Sequence, residues 1–199
     1  MDFHNFLRSR RSVRRFEAAS IPDSIIRRIL TTATYAPSAH NRQPWRFVVL
    51  TNEGTKLHLA NAMALDFRRD LEQDNLSEDE ILSHLDKSRS RIMSSPVVII
   101  LCMDLSVLDK YPDSRRAEAE RLMAIQSTAN AGMQLLLAAQ AEKLGCVWTC
   151  APLFAPNIVR ETFSLSILWE PQAMFLLGYP AETPKLRERK SIQELSIFL

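Results

Sequence analysis

A chain of 199 residues with 46% hydrophobic and 24% charged residues has the make-up of one folded domain with a proper core. No run of eighteen apolar residues occurs, so nothing reads as a membrane span, and Met1 to Leu7 is too polar and short for the apolar region of a signal peptide. The net charge of +2 is unevenly placed: residues 1–16 hold five Arg against one Asp, leaving 20 basic against 22 acidic residues elsewhere, and a body that is not basic argues against a nucleic-acid role.

Asp2 to Ser9 reads as a short helix feeding Arg10-Arg11-Ser12-Val13-Arg14-Arg15-Phe16. With Arg8, that stretch sets five guanidinium groups within eight residues, around a serine hydroxyl. Guanidinium forks match phosphate oxygens bidentately, whereas a solvated basic arm or a nucleic-acid contact is the plainer use of such a cluster. Pro22 opens a second helix whose face is Ile25, Ile26, Ile29, Leu30 and Ala33, ending near Pro37. Pro37-Ser38-Ala39-His40-Asn41-Arg42-Gln43-Pro44-Trp45 is then a proline-bracketed loop rich in hydrogen-bonding side chains. It is either a helix-to-strand turn anchored by Trp45 or a binding loop on a rigid frame.

Trp45 to Thr51 is strand-like, Glu53 to about Leu71 helical, and Ser77 with Glu80 has capping-box spacing for a helix to about Ile92. Residues 66–91 are densely charged and read as a pair of solvated helices or, second, as a mobile flap over a site. Pro96 to Met103 is a continuous apolar run suited to a strand buried on both faces. The longest helix spans roughly Ser114 to Leu144, closed by Gly145 as C-terminal cap, with an almost wholly apolar second half that belongs in a core or subunit interface.

Cys146 to Cys150 is strand-like, Pro156 to Phe163 helical, and Gln172 to Tyr179 a further apolar strand. Pro180 and Pro184 release an extended polar tail, residues 180–199. Within Leu186-Arg187-Glu188-Arg189-Lys190-Ser191, extended backbone points Arg187 and Arg189 to the same side, where they could clamp one anion. Cys102, Cys146 and Cys150 are an odd number, each in an apolar stretch, and read as reduced core thiols of a cytoplasmic protein. Four isolated glycines, Gly54, Gly132, Gly145 and Gly178, can write neither a Gly-rich dinucleotide fingerprint nor a Walker-type loop. Any phosphate must therefore be held by side chains. None of His4, His40, His58 or His84 sits in triad or metal spacing.

Together, RRSVRRF, APSAHNRQPWRFVVL, LLLAAQAEKLG and LGYPAETPKLRERKSIQEL, spread in order over nearly the whole chain, resemble the nitroreductase family of FMN-dependent oxidoreductases. The resemblance implies a single α+β domain over residues 1–199, a mixed sheet flanked by helices around a long buried central helix, in an intertwined homodimer with FMN at each end of the interface. It implies that Arg10 and Ser12 meet the FMN phosphate and ribityl chain, with Arg187 and Arg189 closing over the phosphate, that Arg11 also belongs to the cofactor-binding set, and that Arg14 lies near the pyrimidine edge, where negative charge gathers on reduction. Pro37, Ser38 and Asn41 would line the flavin from the partner subunit. Trp148, Thr149, Cys150 and Ala151 would run beside the ring, the backbone of the last three offering N–H groups to N5, although many relatives place a glycine there and this chain has none between Gly145 and Gly178.

The activity implied is hydride transfer from NADH or NADPH to a small organic acceptor in ping-pong fashion, with no side-chain base, no metal, no membrane and no nucleic acid. A narrower resemblance, carried by HNRQPWRF, RRDLEQDNLSEDEI, YPDSRRAEAERLM and VWTCAPLFAPNIVRETF, is to the C-terminal FMN domain of the bifunctional deazaflavin-coenzyme biosynthesis enzyme. It implies, as alternatives, a stand-alone reductase of a dehydro-deazaflavin precursor or a relative with another substrate, since 199 residues leave no room for the ligase domain. A third reading is an FMN-binding protein without turnover.

Overall fold

The computed structural model describes residues 2–184 and 187–199. Four strands form one sheet: β1 (Trp45–Leu50), β2 (Val97–Asp104), β3 (Gly145–Thr149) and β4 (Trp169–Gly178), in the order β1-β2-β4-β3. Every neighbouring pair is antiparallel, so the sheet expected to be mixed is an antiparallel one in the α+β domain; among the described residues the parallel pairing is one isolated bridge, Ser12 to Cys146, outside the strands on the β3 edge.

The apolar run of β2 is buried at all eight positions because helices cover both faces. Successive side chains alternate across a strand. Val97, Ile99 and Leu101 thus join Phe175 and Leu177 under α2 (Asp23–Ala33) and α5 (Ser114–Ala141), while Val98, Ile100 and Cys102 join Met174 and Leu176 under α3 (Glu53–Gln73), α4 (Glu78–Met93) and α6 (Pro156–Thr162). The amphipathic spacing read in α2 delivers Ile26, Ile29 and Ala33 to the first core, with Ile25 and Leu30 at its margin. Pro22 is the N-cap of α2, one residue ahead of the expected first turn. The capping box of α4 forms in both directions, and Arg68 of α3 pairs with Glu78, so residues 66–91 are a helical hairpin laced by surface charge. α1 (Phe3–Ser9) precedes the arginine stretch, and a short α7 (Ile192–Leu195), capped reciprocally by Ser191 and Glu194, interrupts the tail expected to be extended throughout.

Gly145 does not cap the long helix. The chain leaves α5 by a Schellman turn, with Lys143 left-handed at φ 59° and the Leu144 amide donating to Ala139 O at 2.9 Å. Gly145 instead opens β3, where a Cβ would lie 2.6 Å from Val13 Cβ. Its missing side chain is therefore the hole that takes Val13, the buried residue at the centre of the arginine stretch. Gly145→Ala should cost about 1–3 kcal/mol of stability by overpacking. Val13→Ala should cost less on that background than alone; additive losses in denaturant titrations would show that the two residues do not share the space.

Candidate functional site

The arginine stretch is fastened to the sheet at both ends. Val13 N donates to Cys146 O at 3.2 Å on β3; Glu17 N donates to Tyr179 O at 2.9 Å and Ala181 N to Arg15 O at 3.1 Å, just beyond β4. Between these points the stretch forms one wall of a cavity of about 640 Å³, whose other wall is the chain after β4. Arg10, Arg11, Ser12, Arg14, Arg187 and Arg189 all line it, so six of the residues singled out from sequence meet in one place. Leu186, quoted with them, lies outside the described residues. Arg187 and Arg189 face the same space, as expected of alternate residues in an extended segment.

The guanidinium groups are not equivalent. Arg11 is turned onto the backbone, its Nη1 donating to Arg8 O at 2.5 Å and Arg10 O at 2.7 Å. Arg14 Nη1 reaches Ser12 O at 3.4 Å, and Arg15 pairs with Glu182 at 3.4 Å. The guanidinium groups of Arg10, Arg187 and Arg189 have no hydrogen-bond or ion-pair partner among the described residues. Three such cations in one cavity call for an anion with several acceptor oxygens. Arg15, Glu182, Thr183 and Pro184 also line the cavity and were not singled out from sequence. Arg15 stood inside the stretch and could have been; the other three arrive only through the pairing of residues 15–17 with 179–181.

Pro37, Ser38 and Asn41 do not line this cavity, nor do Trp148, Thr149, Cys150 and Ala151. The Pro37–Trp45 loop sits against α5: Ala39 N donates to Ser127 Oγ at 3.1 Å, Asn130 Nδ2 to Pro37 O at 3.3 Å, and Gln43 N to Ser38 Oγ at 3.1 Å. Arg42 pairs with Asp109 at 2.5 Å, a contact that holds the guanidinium above its ordinary pKa. His40, Asn41 and Gln43 all stand at positive φ, 52°, 54° and 49°, a conformation that costs a residue with a Cβ roughly 1–2 kcal/mol and that clusters where a loop has a task.

At the end of β3, the Trp148 ring lies edge-on to Phe175 with centroids 5.0 Å apart, its indole N–H donates to Cys150 Sγ at 3.3 Å, and Thr149 Oγ1 donates to Met174 O at 3.1 Å. The three cysteines are unpaired, but they are not alike. Cys102 and Cys146 are buried, and burial pushes the Cys102 thiol up to about 12 and raises that of Cys146 as well. Cys150, expected in the core, is exposed because it follows the last paired residue of β3 and turns outward.

Among the described residues, no helix is long and apolar enough to cross a membrane. The profile of the Nitroreductase family matches residues 7–179, which include the arginine stretch, the Pro37 loop and the end of β3. The chain belongs to the nitroreductase family. It is 28% identical over 197 residues to the NADH dehydrogenase of Thermus thermophilus, covering 87% of this chain and 84% of that protein. It is 26% identical over 208 residues to the iodotyrosine deiodinase of Haliscomenobacter hydrossis, covering 99% of this chain and 89% of that one. In fold it matches a nitroreductase-like protein of Bacillus cereus at TM-score 0.79 with 23% identity, covering 100% and 96% of the two chains. A candidate nitroreductase of Desulfovibrio desulfuricans, solved in complex with FMN, matches at TM-score 0.75 with 21% identity over 98% and 95% of the chains.

A thiol reagent at pH 8 should modify one cysteine of the native protein, Cys150, and all three after unfolding. Modification of Cys146 as well, without loss of structure, would mean that the β3 edge opens.

Proposed function

We propose that this nitroreductase-family chain is an FMN-dependent oxidoreductase that takes hydride from a reduced nicotinamide and passes it to a small organic acceptor. The observation that carries the reading is the meeting in one cavity of three guanidinium groups without a partner among the described residues, Arg10, Arg187 and Arg189, from the two ends of the chain. That donor set fits a phosphate monoester, and about 640 Å³ leaves room for a ribityl chain beside it. The Desulfovibrio protein solved in complex with FMN supports the cofactor, and the name of the Thermus relative, NADH dehydrogenase, supports a reduced nicotinamide as electron donor.

Each residue then has a task set by its chemistry. Arg10, Arg187 and Arg189 hold the phosphate, and the Ser12 hydroxyl offers a neutral donor beside them. Arg11, already bonded to two carbonyls, keeps the stretch in shape. Arg14 is the exposed cation for the pyrimidine edge. Bound FMN supplies hydride exchange at N5. Pro37, Ser38 and Asn41 serve the flavin of a second copy, and the backbone of Thr149, Cys150 and Ala151 serves the N5 edge.

The homodimer is supported by apolar side chains left in solvent: Leu122 and Met133 on α5, and Ile192, Leu195, Ile197 and Phe198 in the tail. Free thiols agree with a reducing cytoplasm. On this reading, residues 66–91 are a candidate cover for the acceptor.

The purified protein should show a flavin spectrum, or acquire one with FMN, that bleaches anaerobically with NADH or NADPH. Bleaching by reduced deazaflavin alone would favour the deazaflavin-precursor reductase, and no bleaching by any donor would favour FMN binding without turnover. Arg10→Ala with Arg189→Ala should weaken FMN at least a hundredfold, on the order of two charge-assisted contacts, while leaving riboflavin binding near its original level. Glu182→Gln should do the reverse and tighten FMN roughly threefold at low salt, because the cavity loses its carboxylate. Equal effects on FMN and riboflavin would place the phosphate elsewhere.

A further inference from the structure

The two segments outside the arginine cavity are both set by one short piece of α5. Ser127, buried on that helix, donates its hydroxyl to Met123 O at 2.7 Å and accepts the Ala39 amide at 3.1 Å. One turn on, Asn130 holds Pro37 O at 3.3 Å. These two bonds fix the loop immediately before its left-handed residues, His40, Asn41 and Gln43.

Gly132 does the corresponding work for β3. A Cβ there would stand 2.5 Å from Trp148 Cζ3 and 2.8 Å from Cη2, so the helix can accept the indole ring only because residue 132 has no side chain. The ring so placed sends its N–H to Cys150 Sγ at 3.3 Å and steadies the turn after β3. At 100° per residue, Gly132 lies about 140° round the helix from Ser127, so the loop and the strand end are held on opposite flanks of the same one and a half turns.

We propose that Ser127, Asn130 and Gly132 are positioning residues, which make α5 a rigid spacer between the Pro37–Asn41 loop and the Trp148–Ala151 segment. The inference rests on the assignment of those segments to FMN. It adds that their placement is decided by helix residues that touch neither cofactor nor substrate, and that the two flanks can be disturbed separately. Loss of the Ser127 hydroxyl frees the loop; a methyl at residue 132 displaces Trp148 and with it the backbone offered to N5.

The test measures FMN dissociation constants, the dissociation constant of the sulfite adduct at flavin N5, and melting temperature in the same variants. Ser127→Ala and Asn130→Ala should each weaken FMN roughly fivefold, about the effect of one lost hydrogen bond, with sulfite affinity unchanged, and Ser127→Thr should restore binding. Gly132→Ala should change sulfite affinity roughly fivefold with FMN affinity nearly kept. Adding Trp148→Phe makes room for the methyl but supplies no N–H, so it should restore the melting temperature and not the sulfite affinity. Asn130 is exposed, so its variant reports even where a buried substitution fails to fold. Variants that bind FMN and sulfite like the unaltered protein, and differ only in melting temperature, would overturn the positioning role. Failure of the unaltered protein to bind FMN would instead overturn the parent reading.

Discussion

Five arginines within eight residues repel one another, and the structure depends on how that stretch is held. The backbone solves the problem. Hydrogen bonds at Val13, Arg15 and Glu17 add the stretch to the β3 edge and to the chain beyond β4, and Val13 drives into the hole left by Gly145. Arg11 turns back onto two carbonyls, so part of the charge is spent on local structure. Arg14 and Arg15 stay exposed and Arg10 is half-buried, so these groups avoid the cost of full burial while all three line one cavity. An apolar anchor in the middle of a basic run is what makes this arrangement possible.

The rest of the architecture serves that anchor. A sheet covered on both faces gives β3 and β4 a fixed register, and the residues at their ends, Cys146 and Tyr179, are the attachment points of the stretch. The long helix α5 has a second duty. Its small and polar residues, Ser127, Asn130 and Gly132, sit where a larger apolar residue would push away the loop or the tryptophan ring. Packing and site geometry are therefore the same set of contacts in this helix. Its charged first half behaves differently: Arg121 takes Glu170 of β4 in a two-pronged pair at 2.6 and 2.8 Å, which holds that carboxyl below the usual range and ties helix to strand.

Much of this was legible in the residues themselves. The apolar run at Val97 to Met103, the spacing of Ile26, Ile29 and Ala33 and the Ser77–Glu80 box each encode a local rule, and each appears as read. The six cavity residues came from the resemblance of several motifs taken together, since a basic cluster alone reads as readily as a solvated arm or tail; that they share one cavity is what the fold adds. Gly145 and Cys150 misled for a common reason. A glycine after a helix and a cysteine in an apolar stretch have standard local meanings, but here Val13 claims the glycine and the end of β3 turns the cysteine outward.

What the sequence determined by itself is therefore the list of elements, their apolar faces and the kind of ligand the basic clusters could hold, since these depend on periodicity and side-chain chemistry over a few residues. What only the tertiary structure decided is who meets whom. Glu182 faces Arg15, Ser127 holds Ala39, Gly132 admits Trp148, and the two ends of the chain share one cavity. Contacts between distant residues leave no periodic trace along the chain, because they are selected by the packing of whole elements and not by any neighbour in sequence.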